Sequence, residues 1–225
     1  MALLVAINRA AVFGVAARWV LHDLRSPAQS LTLLADLVSE PSADLEGILR
    51  EACGHLARSL DLLSRVLHPS TPVEIGPISV REPIQFIADL QRAGRTSARL
   101  EVAVDPAVPT ATGVQRHLEH ALLGLVLHAT ESLRAREIAT IRITVRQEGD
   151  RVEIVVAGGR TRVPPEAEDR LFEMPPGLDL AQHPLAASLP AAREVIRLCG
   201  GTLTYAPRPE GASGYVIGLP LWHQE

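Results

Sequence analysis

The chain has 225 residues, 47% hydrophobic and 21% charged, a globular composition with room for one medium domain or two small ones. Its 22 basic and 26 acidic residues leave a formal net charge of -4, so no overall positive field draws in nucleic acid. Every basic residue is arginine and lysine is absent, which excludes chemistry that needs a side-chain amine, such as Schiff-base formation or a P-loop lysine.

Cys53 and Cys199 stand alone, with no CxxC spacing. That argues against a disulfide framework or a zinc knuckle and fits a reducing compartment. The apolar opening, Met1 to Leu21, is interrupted by Asn8, Arg9 and Arg18. It is expected neither to span a membrane nor to act as a signal peptide, so the sequence reads as a soluble cytoplasmic protein. With seven aromatic residues, no stacking platform for single-stranded nucleic acid is expected.

Residues 1–68 read as helical. Val12, Ala16, Trp19, Val20, Leu24, Pro27, Leu31, Leu34 and Val38 recur at spacings of three and four, the pattern of an amphipathic helix of roughly 35 residues. Ser39-Glu40-Pro41-Ser42 breaks it, and Ser42 or Asp44 suits the cap of a second helix. The stripe of that helix runs through Leu45, Ile48, Leu49, Ala52, Leu56, Leu60, Leu63, Val66 and Leu67. One antiparallel hairpin cannot bury both stripes, whereas two copies can, as a four-helix bundle; a homodimer is expected.

After His68-Pro69-Ser70-Thr71-Pro72, a linker by composition, the texture alternates. The expected order is a strand at Ile78–Val80, a helix at Pro83–Ala93, a strand at Arg99–Val104 and a helix from Gly113 to Arg134. A hairpin follows, Ile138–Arg146 and Arg151–Ala157, turning at Glu148-Gly149-Asp150. A proline-rich loop, Val163 to Pro184, leads to a helix at Leu185–Leu198 and two strands around Leu203 and Tyr215–Leu219. The expected class is α+β: a hairpin domain over 1–68, then a two-layer α/β sandwich over 73–225.

The sharpest local feature is Leu21-His22-Asp23-Leu24-Arg25-Ser26-Pro27. His22 lies about 200° around the helix from Val20, off the apolar stripe, so its ring is expected in solvent. An exposed imidazole is a competent nucleophile at neutral pH. Asp23 is placed to orient that ring or take its proton, and Ser26 lies one turn on, where a hydroxyl can position water. Pro27 removes a helix hydrogen bond and is expected to bend the helix just past the histidine.

This box resembles that of the bacterial sensor histidine kinases, whose dimerisation and phosphotransfer hairpin carries His-acid-Leu-Arg-x-Pro on its first helix. The resemblance extends to the rest of the chain, implying a GHKL-type ATPase-like domain from about residue 70 onward. It implies that His22 takes up phosphoryl and exchanges it with an aspartate on a response-regulator receiver domain. Arg25 would then offset phosphate charge, and the receiver would dock over Ala28, Gln29, Leu31 and Thr32.

Measured against the family's nucleotide boxes, the second half departs at each one. On the helix containing Gln115–Leu133, the asparagine expected to hold Mg²⁺ is His128, and a second position that is commonly asparagine is Gly124. Imidazole is a poor substitute for an oxygen ligand of magnesium. The adenine-binding aspartate falls at Gly158, and the two glycines that follow it fall at Arg160 and Arg162. Leu171-Phe172-Glu173 still resembles the phenylalanine box. The glycines of the phosphate turn fall at Ala186 and Ser188, where Cβ atoms crowd the backbone N–H groups that would cradle phosphate. Metal, adenine and phosphate contacts are therefore all expected to be lost, with no cofactor and no metal.

His117, His120 and His128 are spread too far along one helix to share a metal, and a solvated or hydrogen-bonded surface is the expected role. No G-x-S-x-G elbow accompanies Ser26. The reading that follows is a phosphorelay protein similar to the ChpT-type histidine phosphotransferases, taking phosphoryl through His22 without ATP. Its expected partners are receiver domains, a hybrid histidine kinase and a second copy of the chain. The alternatives are an ATP-dependent sensor kinase with an unusual pocket, for which ATP and Mg²⁺ would be required, and a non-catalytic scaffold or inhibitor of a kinase or response regulator.

Overall fold

The computed structural model describes residues 2–37, 43–67, 74–94, 98–131, 140–158, 168–179, 182–207 and 213–223. The single long N-terminal helix expected from periodicity is two helices, α1 (Ala2–Asp23) and α2 (Arg25–Leu37), interrupted at Leu24. Pro27 accounts for the position of the break: it has no N–H to donate to the carbonyl four residues earlier, on Asp23, and its ring crowds that carbonyl. Across the break, Leu24 N–H still donates to Val20 O at 3.0 Å, and the ladder resumes with Ala28 N–H to Leu24 O at 3.3 Å. Helix α3 (Ala43–Leu67) follows the second stripe, as expected.

Two compact units divide the chain, one made of Met1–Val12, Thr71–Ala88 and Thr96–Glu225, the other of Phe13–Ser70 and Asp89–Arg95. This division does not coincide with the expected boundaries of 1–68 and 73–225. Leu4, Asn8 and Val12 recur every four residues along α1 and are buried, and this part of the helix belongs with the sheet. Arg9 and Arg18 also interrupt the opening less than expected: Ala2–Leu33 includes a window long and apolar enough, by length and composition alone, to cross a membrane.

The first unit holds a five-stranded sheet in the order β2-β4-β5-β7-β6. Its strands are β2 (Arg99–Val104), β4 (Thr140–Glu148), β5 (Arg151–Ala157), β6 (Thr202–Pro207) and β7 (Ser213–Pro220). β2 runs parallel to β4 and the other pairs are antiparallel. A separate antiparallel pair joins β1 (Gly76–Ile78) to β3 (Ala111–Gly113), the latter a strand absent from the sequence expectation. The hairpin between β4 and β5 turns where expected, at a glycine with φ of 61°, a backbone setting that only glycine adopts freely.

Helices α4 (Arg81–Gly94), α5 (Gln115–Glu131) and α6 (Ser188–Leu198) complete the order, α6 being preceded by a 3₁₀ turn at Pro184–Ala187. Alternation along β4 and β5 buries Ile141, Ile143, Val145, Val152, Ile154 and Val156. The outward positions carry ion pairs, Arg142 with Glu101 at 3.0 Å and Arg146 with Glu153 at 2.9 Å. Leu118, Leu122 and Leu125 of α5 and Ile196 of α6 are fully buried, each contributing about 1.5–3 kcal/mol by burial. The mixed α+β organisation, a long N-terminal helix and a sheet-plus-helices domain, agrees with the expected class.

Candidate functional site

His22 occupies the last turn of α1 and is exposed, as its place off the apolar stripe requires. Its ring makes no hydrogen bond or ion pair among the described residues. Arg25 and Ser26, just beyond the break, are exposed too. Along α2, Ala28, Gln29 and Thr32 are exposed and Leu31 is half-buried. Thr32 Oγ1 donates back to Ala28 O at 3.0 Å, and Ser30 Oγ to Ser26 O at 3.2 Å.

Asp23 is turned elsewhere. Successive residues on a helix point about 100° apart, so neighbours do not face each other. The Asp23 carboxylate faces α3, where Oδ2 lies 2.7 Å from His55 Nε2 and accepts from Ser59 Oγ at 3.0 Å. Its side chain is only 12% exposed, against 38% for His55. His55 and Ser59 were not among the residues singled out from sequence. They sit four apart on one face of α3, but nothing in the box around His22 specifies which face of α3 it meets. The three residues line a cavity of about 670 Å³, together with Arg58, Asp61 and Arg65 of α3 and Asp89 and Arg92 of α4.

The positions compared with nucleotide boxes are arranged differently. On α5, His128 is half-buried with Nδ1 2.9 Å from the Tyr215 hydroxyl, its ring edge-on to the Tyr215 ring at 5.9 Å. Burial pushes the His128 imidazole below its ordinary range and the Tyr215 phenol above its own, so both are neutral at physiological pH. Tyr215 in turn packs edge-on to Phe172, whose ring carries the Arg193 guanidinium 5.3 Å above it.

Gly124 is where α5 meets α6: a Cβ there would lie 3.5 Å from the Ser188 Cβ. A Cβ on Gly158 would lie 3.0 Å from Ile141 Cα, so an aspartate does not fit without displacing β4 backbone. Ala186 is exposed in the 3₁₀ turn, whereas Ser188 is buried at the start of α6. Arg160 and Arg162 lie outside the described residues. Glu119 of α5 is 2% exposed and paired with Arg116 at 2.6 Å. At these positions the two glycines carry no side-chain ligand atom, the His128 imidazole is engaged by a phenol, and Ser188 is packed against α5.

A polar chain runs through the same helices. Asn8 is fully buried; its Nδ2 donates to Ser188 Oγ at 3.3 Å, and Ser188 Oγ donates to Leu185 O at 2.6 Å. His120 Nε2 lies 3.0 Å from Asn8 Oδ1, an oxygen that only accepts, so Nε2 carries the proton. Burial, reinforced by the charges of Arg9 and His117, pushes His120 down to about 3. His117 is also lowered by burial and then by Arg9, and its Nδ1 lies 3.7 Å from Cys199 Sγ. These two histidines are buried rather than solvated, because their face of α5 is directed inward; the hydrogen-bonded half of the expectation holds.

No protein-family model matches the chain. It is 24% identical over 224 residues to the C4-dicarboxylate transport sensor protein DctB of Rhizobium meliloti, a match covering 93% of this chain and 35% of that protein. The structure resembles the catalytic domain of histidine kinase ThkA with a TM-score of 0.54 and 18% identity, over 66% of this chain and 97% of that one. The chain has a histidine-kinase-like fold. A second solved structure, Acinetobacter baumannii histidine kinase AdeS, matches this histidine-kinase-like fold with a TM-score of 0.51 and 17% identity, over 90% of this chain and 98% of its own. The chain spans about a third of the length of DctB.

Proposed function

We propose that this histidine-kinase-like protein is a phosphotransfer protein of a two-component phosphorelay that works without ATP. The observation that carries the reading is the contrast between His22, exposed with an unengaged ring, and His128, whose nitrogen is committed to Tyr215 where the family places a magnesium ligand. A ring nitrogen of His22 attacks the phosphorus of a receiver domain's aspartyl phosphate. The N–P bond forms as the P–O bond to the aspartate breaks, and the carboxylate leaves; the reverse sequence passes phosphoryl to a second receiver. Arg25 offsets phosphate charge and Ser26 positions water for slow hydrolysis. Receivers dock over Ala28, Gln29, Leu31 and Thr32, and a hybrid histidine kinase is the upstream source.

The exposed leucines of the helical hairpin support a homodimer: Leu33, Leu60 and Leu67 are each at least half exposed, and a second copy covers such a face as a four-helix bundle. A cytoplasmic location follows from the same relay chemistry. The second reading, an ATP-dependent kinase, is favoured by what DctB and AdeS are called, sensor protein and histidine kinase.

Calorimetric titration with Mg-ATP separates the two. No heat and no saturation at millimolar nucleotide are expected; saturable binding would overturn the reading in favour of the kinase.

A further inference from the structure

The acidic residue beside His22 does not face it. Its carboxylate is taken up by two donors of α3, and its backbone carbonyl is the one that Pro27 leaves without a helical partner. The last turn of α1, which carries His22, thus lacks a main-chain bond at its end and is tied instead through a side chain to a neighbouring helix. His55 and Ser59 lie one turn apart and both reach the same oxygen, Oδ2, so two bonds fix one carboxylate orientation. Phosphoryl transfer depends on presenting the attacking nitrogen in line with the leaving oxygen, and small errors of orientation at a nucleophile are costly in rate.

We propose that His55 and Ser59 are positioning residues for His22: by holding the Asp23 carboxylate on α3 they fix the last turn of α1, and Asp23 anchors that turn instead of taking the His22 proton. The inference rests on the phosphotransfer reading above. It replaces the acid-base role that the order of residues suggests for Asp23 with an interhelical one, and it assigns a part to α3 that the box alone does not indicate.

The test uses the full chain and phosphoramidate as phosphodonor. A ring nitrogen of His22 forms the N–P bond, the donor's P–N bond breaks and ammonia leaves with the ring proton; uptake is followed by mass spectrometry at His22. His55→Ala is expected to slow uptake about 10-fold, while His55→Gln, whose amide can donate to the carboxylate, recovers to within about 3-fold of the native rate. Asp23→Asn keeps an accepting oxygen but cannot take a proton, and is expected to lose less than Asp23→Ala. The double variant Asp23→Ala/His55→Ala is expected to be no slower than Asp23→Ala alone.

An unchanged rate in His55→Ala, with Asp23→Asn as slow as Asp23→Ala, overturns the proposal and makes Asp23 the proton acceptor. Imidazole NMR signals give a readout independent of activity. Asp23→Ala is expected to shift the His55 ring signals, and His55 signals that stay in place overturn the proposal on geometry alone. Absence of any uptake at His22 in the native chain overturns the phosphotransfer reading, and with it the catalytic part of this one.

Discussion

Two histidines in this chain have opposite surroundings. His22 is at the exposed end of a helix interrupted by proline, with no bond to its ring among the described residues. His128 is on an inward face of α5, neutral, edge-on to Tyr215 and bonded to its hydroxyl. The side chain is the same; solvent access suits the first to the nucleophilic role proposed for it, and burial with a phenol partner suits the second to packing. The sheet unit as a whole follows His128. Asn8 joins His120 and Ser188 by hydrogen bonds in the interior.

The largest expected effect falls on the exposed side of this comparison. His22→Ala is expected to abolish phosphoryl uptake, at least about 100-fold, with an unchanged melting temperature because the residue is exposed; uptake assays beside circular-dichroism melts check both halves. On the buried side, Asn8→Ala leaves the His120 Nε2–H without its acceptor and Ser188 without its donor, and is expected to cost about 2–3 kcal/mol in urea denaturation. A variant with native stability would break the comparison, since the polar chain would then be incidental.

Acid sharpens it further. His120 has a folded-state pKa lowered to about 3 from 6.5, so the unfolded chain binds the proton first. Stability is then lost as pH falls below 6.5, by about 2 kcal/mol between pH 7 and 5 from this residue alone. His117 and His128 are shifted in the same direction and add to the loss. His120→Gln is expected to remove the His120 share of the pH dependence, as read by denaturation at the two pH values. The smallest effect belongs to Gly124. A Cβ there makes an ordinary contact at 3.5 Å with Ser188, so Gly124→Ala is expected to stabilise by about 0.5–1 kcal/mol. Gly124→Asn, the residue a nucleotide site wants, overfills the α5–α6 contact and is expected to destabilise by about 1–3 kcal/mol.

Much of the fold was legible because it depends on local periodicity. The α3 stripe, the alternation in β4 and β5 and the glycine turn between them lie where the pattern puts them. A bend just past His22 was legible as well, from Pro27. Three things were not. β3, three residues long, is too short for alternation to register and is defined by its partner β1. Asn8 reads in sequence as an interruption of an apolar run, but its partners are more than a hundred residues away. The pairing of Asp23 with His55 and Ser59 depends on how α1 meets α3, which neither helix encodes alone. At the candidate site, the exposure of His22 followed from its angle on the helix; the direction of its acidic neighbour did not.

The most direct test of the central claim is to incubate the native chain in parallel with Mg-ATP and with phosphoramidate, and to map phosphohistidine by mass spectrometry. The account predicts phosphoryl on His22 from phosphoramidate and none from Mg-ATP. Saturable, ATP-dependent labelling of His22 would contradict it and identify a kinase whose nucleotide is held by contacts other than those at Gly124, His128, Gly158 and Ser188.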